Sequence, residues 1–593
     1  MKELEYPFDA NYILSKKKRI KKQLLSDTTG MVDKKIAVLG GYTTSDISQV
    51  LELFLLNYGI KPCIYESEYN QFYQDAMFEN PKLEEFHPDI IYICTCNRNI
   101  ISYPHVQDSE ERVDELLKNE IDKYTAIWES LSGRYQCPII QNNFEMPFFR
   151  LMGNKDASDI HGRVNFLTRL NMEFYAYARA HEDFYICDIN YISADYGLKE
   201  WSDPFYYYMY KYAVNVNAIP YLSFNVANII KSVFGKNKKG LVLDCDNTLW
   251  GGVIGDDGVE NIVLGPETAE GEAYCEFQRY VKEQTELGVI LNIDSKNEEE
   301  NALAGLSHPD SELSKNDFIM IKANWEPKDR NLKSIADSLN LLPESLVFVD
   351  DNPAERHIVT GQLPSVTAPE IGEVHQYITN IDRGGYFETT ALSEDDRKRN
   401  RMYKENAKRA ELKAEFADYK DYLLSLEMTG VIKSFEQVYM ARIAQLTNKS
   451  NQFNLTTHRY TQSEIEELST SPDYITLYGK LIDRFGDNGV VSVVIGHKTG
   501  SECHIDLWIM SCRVLKRDME FAMMDTLVHR CMNLGIQKIY GYYYPTAKNA
   551  MVKEFYALQG FEKISEDDAG NTKWCYNITK DYENKNTVIK VEE

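Results

Sequence analysis

Short apolar runs alternate with helix-periodic stretches along most of the chain. KKIAVLGG (residues 34–41), the apolar run around Ile64, DIIYICTC (89–96), CPIIQNNF (137–144) and FYICDIN (184–190) read as buried strands with helical patterns between them. That alternation predicts a three-layer α/β domain with a largely parallel sheet. A second series follows: LVL (241–243), VILNID (289–294), DFIMIKAN (317–324) and SLVFVDDNP (345–353). Between the last two, Leu332, Ile335, Ala336 and Leu339 fall at the i, i+3, i+4, i+7 spacing of a helix that Lys328 opens. Residues 394–426 are rich in charge at helical spacing and predict a solvated connector. Beyond them, LTNKSNQFNLTT (446–457), LIDRFGDNGVVSVVI (481–495), HIDLWIMSCRVLKRDME (504–520), KIYGYYYPTAKN (538–549) and ALQGF (557–561) alternate strand and helix once more. The expected class is multidomain α/β, with domains over 1–235, 236–390 and 431–580 and a connector over 391–430.

The second series ends its strands in polar residues. Asp244 and Asp246 project together from the carboxyl end of a strand, where open α/β sheets place ligands. Asp244 can attack phosphorus, and Asp246 can protonate the leaving group and then activate the incoming nucleophile. A divalent cation offsets the repulsion between carboxylate and phosphate. A bare Asp-x-Asp more often caps a turn, but here its partners follow in order. The Ser295 hydroxyl can bond a phosphoryl oxygen, Lys328 can supply a fixed positive charge, and Asp350 and Asp351 are hard ligands suited to Mg²⁺. Cys245 lies between the two aspartates as a conceivable acyl-carrying thiol. Alternation turns it to the opposite face, so burial in the core is the expectation.

At 593 residues the chain should hold roughly three to four domains. Its 65 Lys+Arg against 91 Asp+Glu, 65 − 91 = −26, exclude general nucleic-acid binding. One basic run, Lys16, Lys17, Lys18, Arg19, Lys21 and Lys22, reads as a solvated helix face, with docking to phosphate or to an acidic protein as the alternative. No apolar stretch reaches a membrane span and the start lacks a signal-peptide core, which predicts a cytoplasmic protein. The 11 Cys show no paired CxxC zinc spacing and read as reduced thiols. GGYTTSD after the first strand is neither a GxGxxG nor a Walker sequence, so it does not predict nucleotide binding.

The order Asp244 and Asp246, Ser295, Lys328, then Asp350 with Asp351 resembles the four motifs of the haloacid dehalogenase (HAD) superfamily. The longer stretches DCDNTLWGGVIGDDG, SKN (295–297), NWEPK (324–328) and VFVDDNPAER (347–356) are similar to the FkbH-like proteins, related to subfamily IIIC phosphatases. That resemblance implies a Rossmann-like HAD core without a large cap, and Mg²⁺ held by Asp244, the main-chain carbonyl of Asp246 and Asp351. It also implies an SGNH-like N-terminal domain, with Ser45 or a neighbouring Thr on the nucleophile loop and Asn142 or Asn143 at an oxyanion position. The D-x-x-H expected near that domain's end falls at Asp203 to Tyr206, with Tyr in place of His, and without a base Ser45 is a weak nucleophile. A binding role is the better expectation for it. The C-terminal region resembles a GNAT-type acyltransferase, in which Arg513, Tyr544 and Asn549 can line a pantetheine channel or merely anchor a loop. Lys516 and Asp518 replace glycines expected at the phosphate-cradling turn, where Arg513, Lys516 and Arg517 can compensate by charge.

Three functions remain open on this reading. By resemblance, the protein takes a glyceryl-type acyl phosphate, 1,3-bisphosphoglycerate, releases phosphate and loads the acyl unit onto an acyl carrier protein or pantetheine thiol. Alternatively it is a Mg²⁺-dependent phosphatase of a small phosphorylated metabolite or sugar, or a non-enzymatic pathway scaffold, against which the intact acidic constellation speaks.

Overall fold

The computed structural model describes every residue except 414, 450, 451, 512, 513, 547 and 593, and the backbone alone at 395, 410, 411 and 449. It divides into two compact units, Met1–Lys231 and Ser232–Glu593. No helix among the described residues is long and apolar enough to cross a membrane.

In the first unit, strands β1 (Val32–Gly40), β2 (Ile60–Glu66), β3 (Ile90–Cys94), β4 (Ile139–Asn142) and β5 (Phe184–Cys187) form one parallel sheet in the order β2-β1-β3-β4-β5. β3, β4 and the second half of β1 are buried on both faces, which explains their continuous apolar runs, while the edge strand β2 is only partly buried. Ala37 and Leu39 face Trp128 of helix Glu110–Tyr135 and Phe174 of helix Arg163–Ala180, while the equally buried Ile36 and Val38 point the other way. The basic run lies on helix Ala10–Leu24. Lys17 and Lys21 pair with Asp46 and Glu52 of helix Ser45–Asn57, and Lys16, Lys18, Arg19 and Lys22 face solvent.

The second unit contains two sheets. Strands β6 (Gly240–Leu243), β7 (Ile290–Ser295), β8 (Phe318–Ala323) and β9 (Leu346–Val349) are parallel in the order β8-β7-β6-β9. Alternation along β6 sends Leu241 and Leu243 into a layer with Trp250 and Phe277, and Val242 into the opposite layer with Leu332 and Phe348. The link from β6 to β7 holds bridges Asp246–Trp250 and Gly251–Val263, the short helix Ile254–Asp257, helix Ala269–Gln284 and the 3-10 helix Thr285–Leu287. No cap-sized insertion stands there.

The charged connector is less solvated than its composition predicts. In helix Arg399–Lys413, Met402 and Tyr403 are buried, and Arg409 is 2% exposed. Arg409 forms a two-pronged pair with Asp483 at 2.7 and 2.8 Å. Arg517 joins the same carboxylate at 3.2 Å, and Asn406 accepts from both guanidinium groups at 2.8 and 2.7 Å. Composition reports charge but not its partner.

Strands β10 (Thr429–Lys433), β11 (Phe453–Asn454), β12 (Tyr474–Asp483), β13 (Gly486–Thr499), β14 (Glu502–Met510), β15 (Lys538–Tyr543), β16 (Glu562–Glu566), β17 (Thr572–Asn577) and β18 (Lys590–Glu592) build the last sheet. β14 and β15 are parallel but pair only over Glu502 to His504. Past that point they separate, and the segment carrying β11 fills the wedge. Phe453 pairs with Met510, Leu455 N–H donates to Trp508 O (3.2 Å), and Tyr544 N–H donates to Leu455 O (2.9 Å).

Candidate active site

The four parallel strands of the second unit deliver the acidic residues to one edge. Asp244 directly follows β6, and its N–H donates to Val349 O of β9 (2.9 Å). Lys328, the first residue of helix Lys328–Ser338, is 2% exposed and lies between two carboxylates, with Nζ 2.9 Å from Asp244 Oδ2 and 2.5 Å from Asp350 Oδ2. Burial opposes its charge, but Asp244 and Asp350 together hold the ammonium above the ordinary lysine pKa. Asp350 is fully buried and also accepts from Asn352 N–H (2.8 Å). Burial and the charge of Asp244 push its carboxyl up to about 6 against the pull of Lys328. The Thr248 hydroxyl accepts from Asp351 N–H (3.2 Å) and so ties the loop after β6 to the loop after β9.

Carboxylate oxygens of Asp244, Asp350 and Asp351 all lie within 4.8 Å of one another. Three carboxylates facing one ammonium leave net negative charge in a largely buried site, and hard oxygen donors so grouped fit Mg²⁺. The Asp246 side chain stands apart from this group. Its Oδ1 accepts from Trp250 Nε1 (3.0 Å) and Ile254 N–H (3.2 Å), and its Oδ2 from Asn297 Nδ2 (3.1 Å). The side chain is thus engaged by protein donors, and the contribution to an ion expected of Asp246 is its main-chain carbonyl. Burial raises the Asp246 pKa, which suits a proton donor. Ser295 ends β7, and its carbonyl accepts from Asn324 N–H (3.1 Å). Cys245 packs in the core with Leu243 and Trp250, and burial pushes its thiol well above the ordinary range.

The two carboxylates after β9 therefore differ in freedom. Asp351→Ala should raise the Mg²⁺ concentration needed for half-maximal activity by about tenfold or more, and by more than Asp350→Ala. The latter should mainly lower thermal stability by depriving Lys328 of a partner. Magnesium titrations of both variants check this, and equal loss would mean that the carboxylates share the ion.

Asp294 is a site neighbour that sequence reasoning took only as a strand end. It is fully buried on β7; Oδ1 accepts from Asn331 Nδ2 (3.1 Å), and Oδ2 has no hydrogen-bond partner. Burial, with Asp244 and Asp350 adding negative charge, pushes it from 3.8 up to about 8. A folded pKa above the unfolded one means that its contribution is complete below about 3.8 and is lost as pH rises to about 8. Asp294→Asn should stabilise the protein by about 1 to 3 kcal/mol at pH 7 and flatten the fall in stability over that range. Denaturant melts at several pH values test it, and an unchanged pH profile would refute it. An Asp within an apolar run was the available signal.

Elsewhere the structure separates what the sequence suggested. Asn142 bonds Tyr92 OH (3.0 Å) and Thr95 O (3.1 Å), and Asn143 bonds Tyr175 OH (2.7 Å), Asp188 (2.6 Å) and Asn190 N–H (3.1 Å). Both amides brace the first unit's core and neither is left to form an oxyanion hole. Ser45 opens its helix beside Asp46, which accepts from Tyr212 OH (2.9 Å), and Tyr206 stands on helix Pro204–Tyr210. In the second unit Asn549 is fully buried. Its Nδ2 donates to Asn454 O and Tyr544 O (both 2.9 Å), and its Oδ1 accepts from Thr546 N–H (2.7 Å). Asn549 is bonded within its own loop and to β11, and Tyr544 N–H donates to Leu455 O (2.9 Å). Lys516 and Asp518 adopt the left-handed φ of +65° and +61° that glycine would take without cost. Arg517 is buried against Asp483 and so is not a free charge for phosphate. Arg513 lies outside the described residues.

A parallel sheet that collects an Asp-x-Asp loop, a strand-end serine, a helix-borne lysine and a terminal Asp pair at one edge defines a HAD-superfamily core. The family model described as FkbH, N-terminal domain, matches residues 35–231. The crystal structure of the N-terminal part of protein BF1531 from Bacteroides fragilis, containing a phosphatase domain complexed with Mg, is 31% identical at a TM-score of 0.59 and covers 63% of this chain and 99% of that one. The chain belongs to the FkbH-like family. Ribosomal-protein-S18-alanine N-acetyltransferase from Escherichia coli is 12% identical at a TM-score of 0.21, covering 27% of this chain and 100% of that one. No curated protein matches the chain.

Proposed function

We propose that the protein is a Mg²⁺-dependent phosphatase-type enzyme whose substrate is a small glyceryl-type acyl phosphate, and that the acyl unit passes to a carrier-protein thiol. The observation that carries the phosphoryl part is the Asp244–Lys328–Asp350 cluster, with Asp351 completing a three-carboxylate group. Lys328 occupies Asp244 Oδ2, so Oδ1 is the oxygen left to attack the phosphorus of the substrate's separate phosphate ester; the acyl phosphate itself keeps its P–O bond and loses phosphate by C–O cleavage when the carrier thiol attacks the acyl carbon. Asp246 carries its raised pKa on the neighbouring loop, where it can protonate the departing oxygen and then take a proton from the incoming nucleophile. Lys328 and the Ser295 hydroxyl can hold phosphoryl oxygens. Bound Mg²⁺ would supply charge neutralisation for the phosphoryl group. The Mg-complexed phosphatase domain of the Bacteroides fragilis relative supports this reading.

One observation favours a phosphatase that does not transfer the acyl group. The wedge between β14 and β15 already holds the chain's own segment, and Tyr544 and Asn549 are engaged by it. Incubation with Mg²⁺, a glyceryl acyl phosphate and a holo carrier protein separates the readings by intact mass. A glyceryl adduct on the carrier supports transfer, phosphate release without an adduct supports the phosphatase, and neither product overturns both.

A further inference from the structure

In the first unit's strand order, β2-β1-β3-β4-β5, successive connections run in opposite directions from β1 and β3. The loops that follow β1 and β3 therefore meet at the carboxyl ends of the sheet, at the switch point where open α/β sheets bind ligands. The two loops are locked together. Asn99 Nδ2 donates to Gly41 O (2.8 Å), and a Cβ on Gly41 would come within 2.5 Å of the Asn99 side chain. Next to Asn99, Arg98 lies over aromatic rings. Its guanidinium carbon is 3.8 Å from the ring centre of Tyr207 and 5.3 Å from that of Phe148.

Contact with ring faces uses none of the guanidinium's hydrogen-bond donors. Arg98 Nε is buried with no hydrogen-bond partner, and the guanidinium forms no ion pair among the described residues. The carboxyl that senses its charge, Glu145, already accepts from Asn97 N–H (3.3 Å), and burial pushes it up to about 7. It is thus a weak counter-ion at neutral pH. Helix Pro204–Tyr210, which carries Tyr207, is pinned over the loop after β1 because Thr43 donates to Tyr210 O (2.8 Å) and Lys211 O (3.1 Å). Tyr208, 69% exposed, and Tyr69, 50% exposed, stand beside Tyr207. A structural stacking pair needs neither an unsatisfied buried donor nor an exposed aromatic rim.

We propose that Arg98 anchors a second ligand site, built from the first unit alone, that receives the oxyanion of a small carboxylate or phosphonate-type group on a flat apolar body lying against Tyr207, Tyr208 and Tyr69. The fork matches two oxygens of either group, and the rings supply an apolar and stacking surface.

The test uses the full-length protein in EDTA, so that the acidic cluster repels anions, titrated calorimetrically with benzoate and with phenylphosphonate. At least one should bind saturably at one per chain, and the stronger of the two identifies the oxyanion. Arg98→Gln, with its melting temperature recorded, should weaken binding by about tenfold or more, and Arg98→Lys by less, because a charge-assisted forked pair is lost in one and only its geometry in the other. Phenylglyoxal mapping of the unmutated protein needs no variant, and saturating probe should slow modification of Arg98 several-fold. Absence of saturable binding by both probes, undiminished binding in Arg98→Gln, or unprotected Arg98 would each overturn the proposal.

Discussion

Asp244→Asn should abolish Mg²⁺-dependent phosphate release, with a loss of at least about a thousandfold. The amide cannot attack phosphorus, and it removes one of the three carboxylates grouped within 4.8 Å. Its shape still fits between the β6 terminus and Lys328, so the fold should survive and the loss should be chemical. Phosphate release by folded variant and wild type, with and without EDTA, provides the measurement. Near-wild-type turnover would end the assignment of Asp244 as nucleophile, whatever becomes of the Mg²⁺ requirement.

Lys328→Met should be severe in a second way. The methionine keeps most of the buried stem but leaves Asp244 and Asp350 facing each other without the ammonium that now lies 2.9 and 2.5 Å from them. Breaking a buried pair from one side costs about 3 to 5 kcal/mol, and here one cation serves two anions. The loss should be largest in EDTA and partly recovered when Mg²⁺ restores positive charge. Turnover should fall by about a hundredfold or more, since a fixed charge on the phosphoryl group is gone. Calorimetric melts of both proteins in EDTA and in Mg²⁺ provide the check. Coincident melts in EDTA would show that the lysine does not hold the two carboxylates in solution.

The acidic constellation was legible in the sequence because each member sits at the end of an apolar run, and strand ends in a parallel sheet converge on one edge. Leu241, Val242 and Leu243 announce β6, and Asp244 has nowhere to go but that edge. The same logic predicted correctly that Cys245 turns into the core. Which carboxylate faces which partner was not legible. Asp246 and Asp244 are two residues apart, yet one is drawn to Trp250 and Asn297 and the other to Lys328.

What the sequence by itself determined is what strand and helix periods determine: the three sheets' α/β character, the sheet edge on which the acidic residues converge and the identity of those residues. Tertiary structure alone decided the partners. Arg409 reads as one charge among many in a solvated helix, until Asp483, far along the chain, buries it. The strand at Phe453–Asn454 forms because the separation of β14 from β15 leaves unpaired backbone that this segment satisfies. Arg98 carries no signal in its local sequence, and Phe148 and Tyr207 reach its guanidinium from distant parts of the chain. Local periodicity fixes which face a side chain takes, but a buried ion pair, a filled wedge and a stacked guanidinium each depend on residues brought together from distant parts of the chain, and no local pattern encodes that meeting.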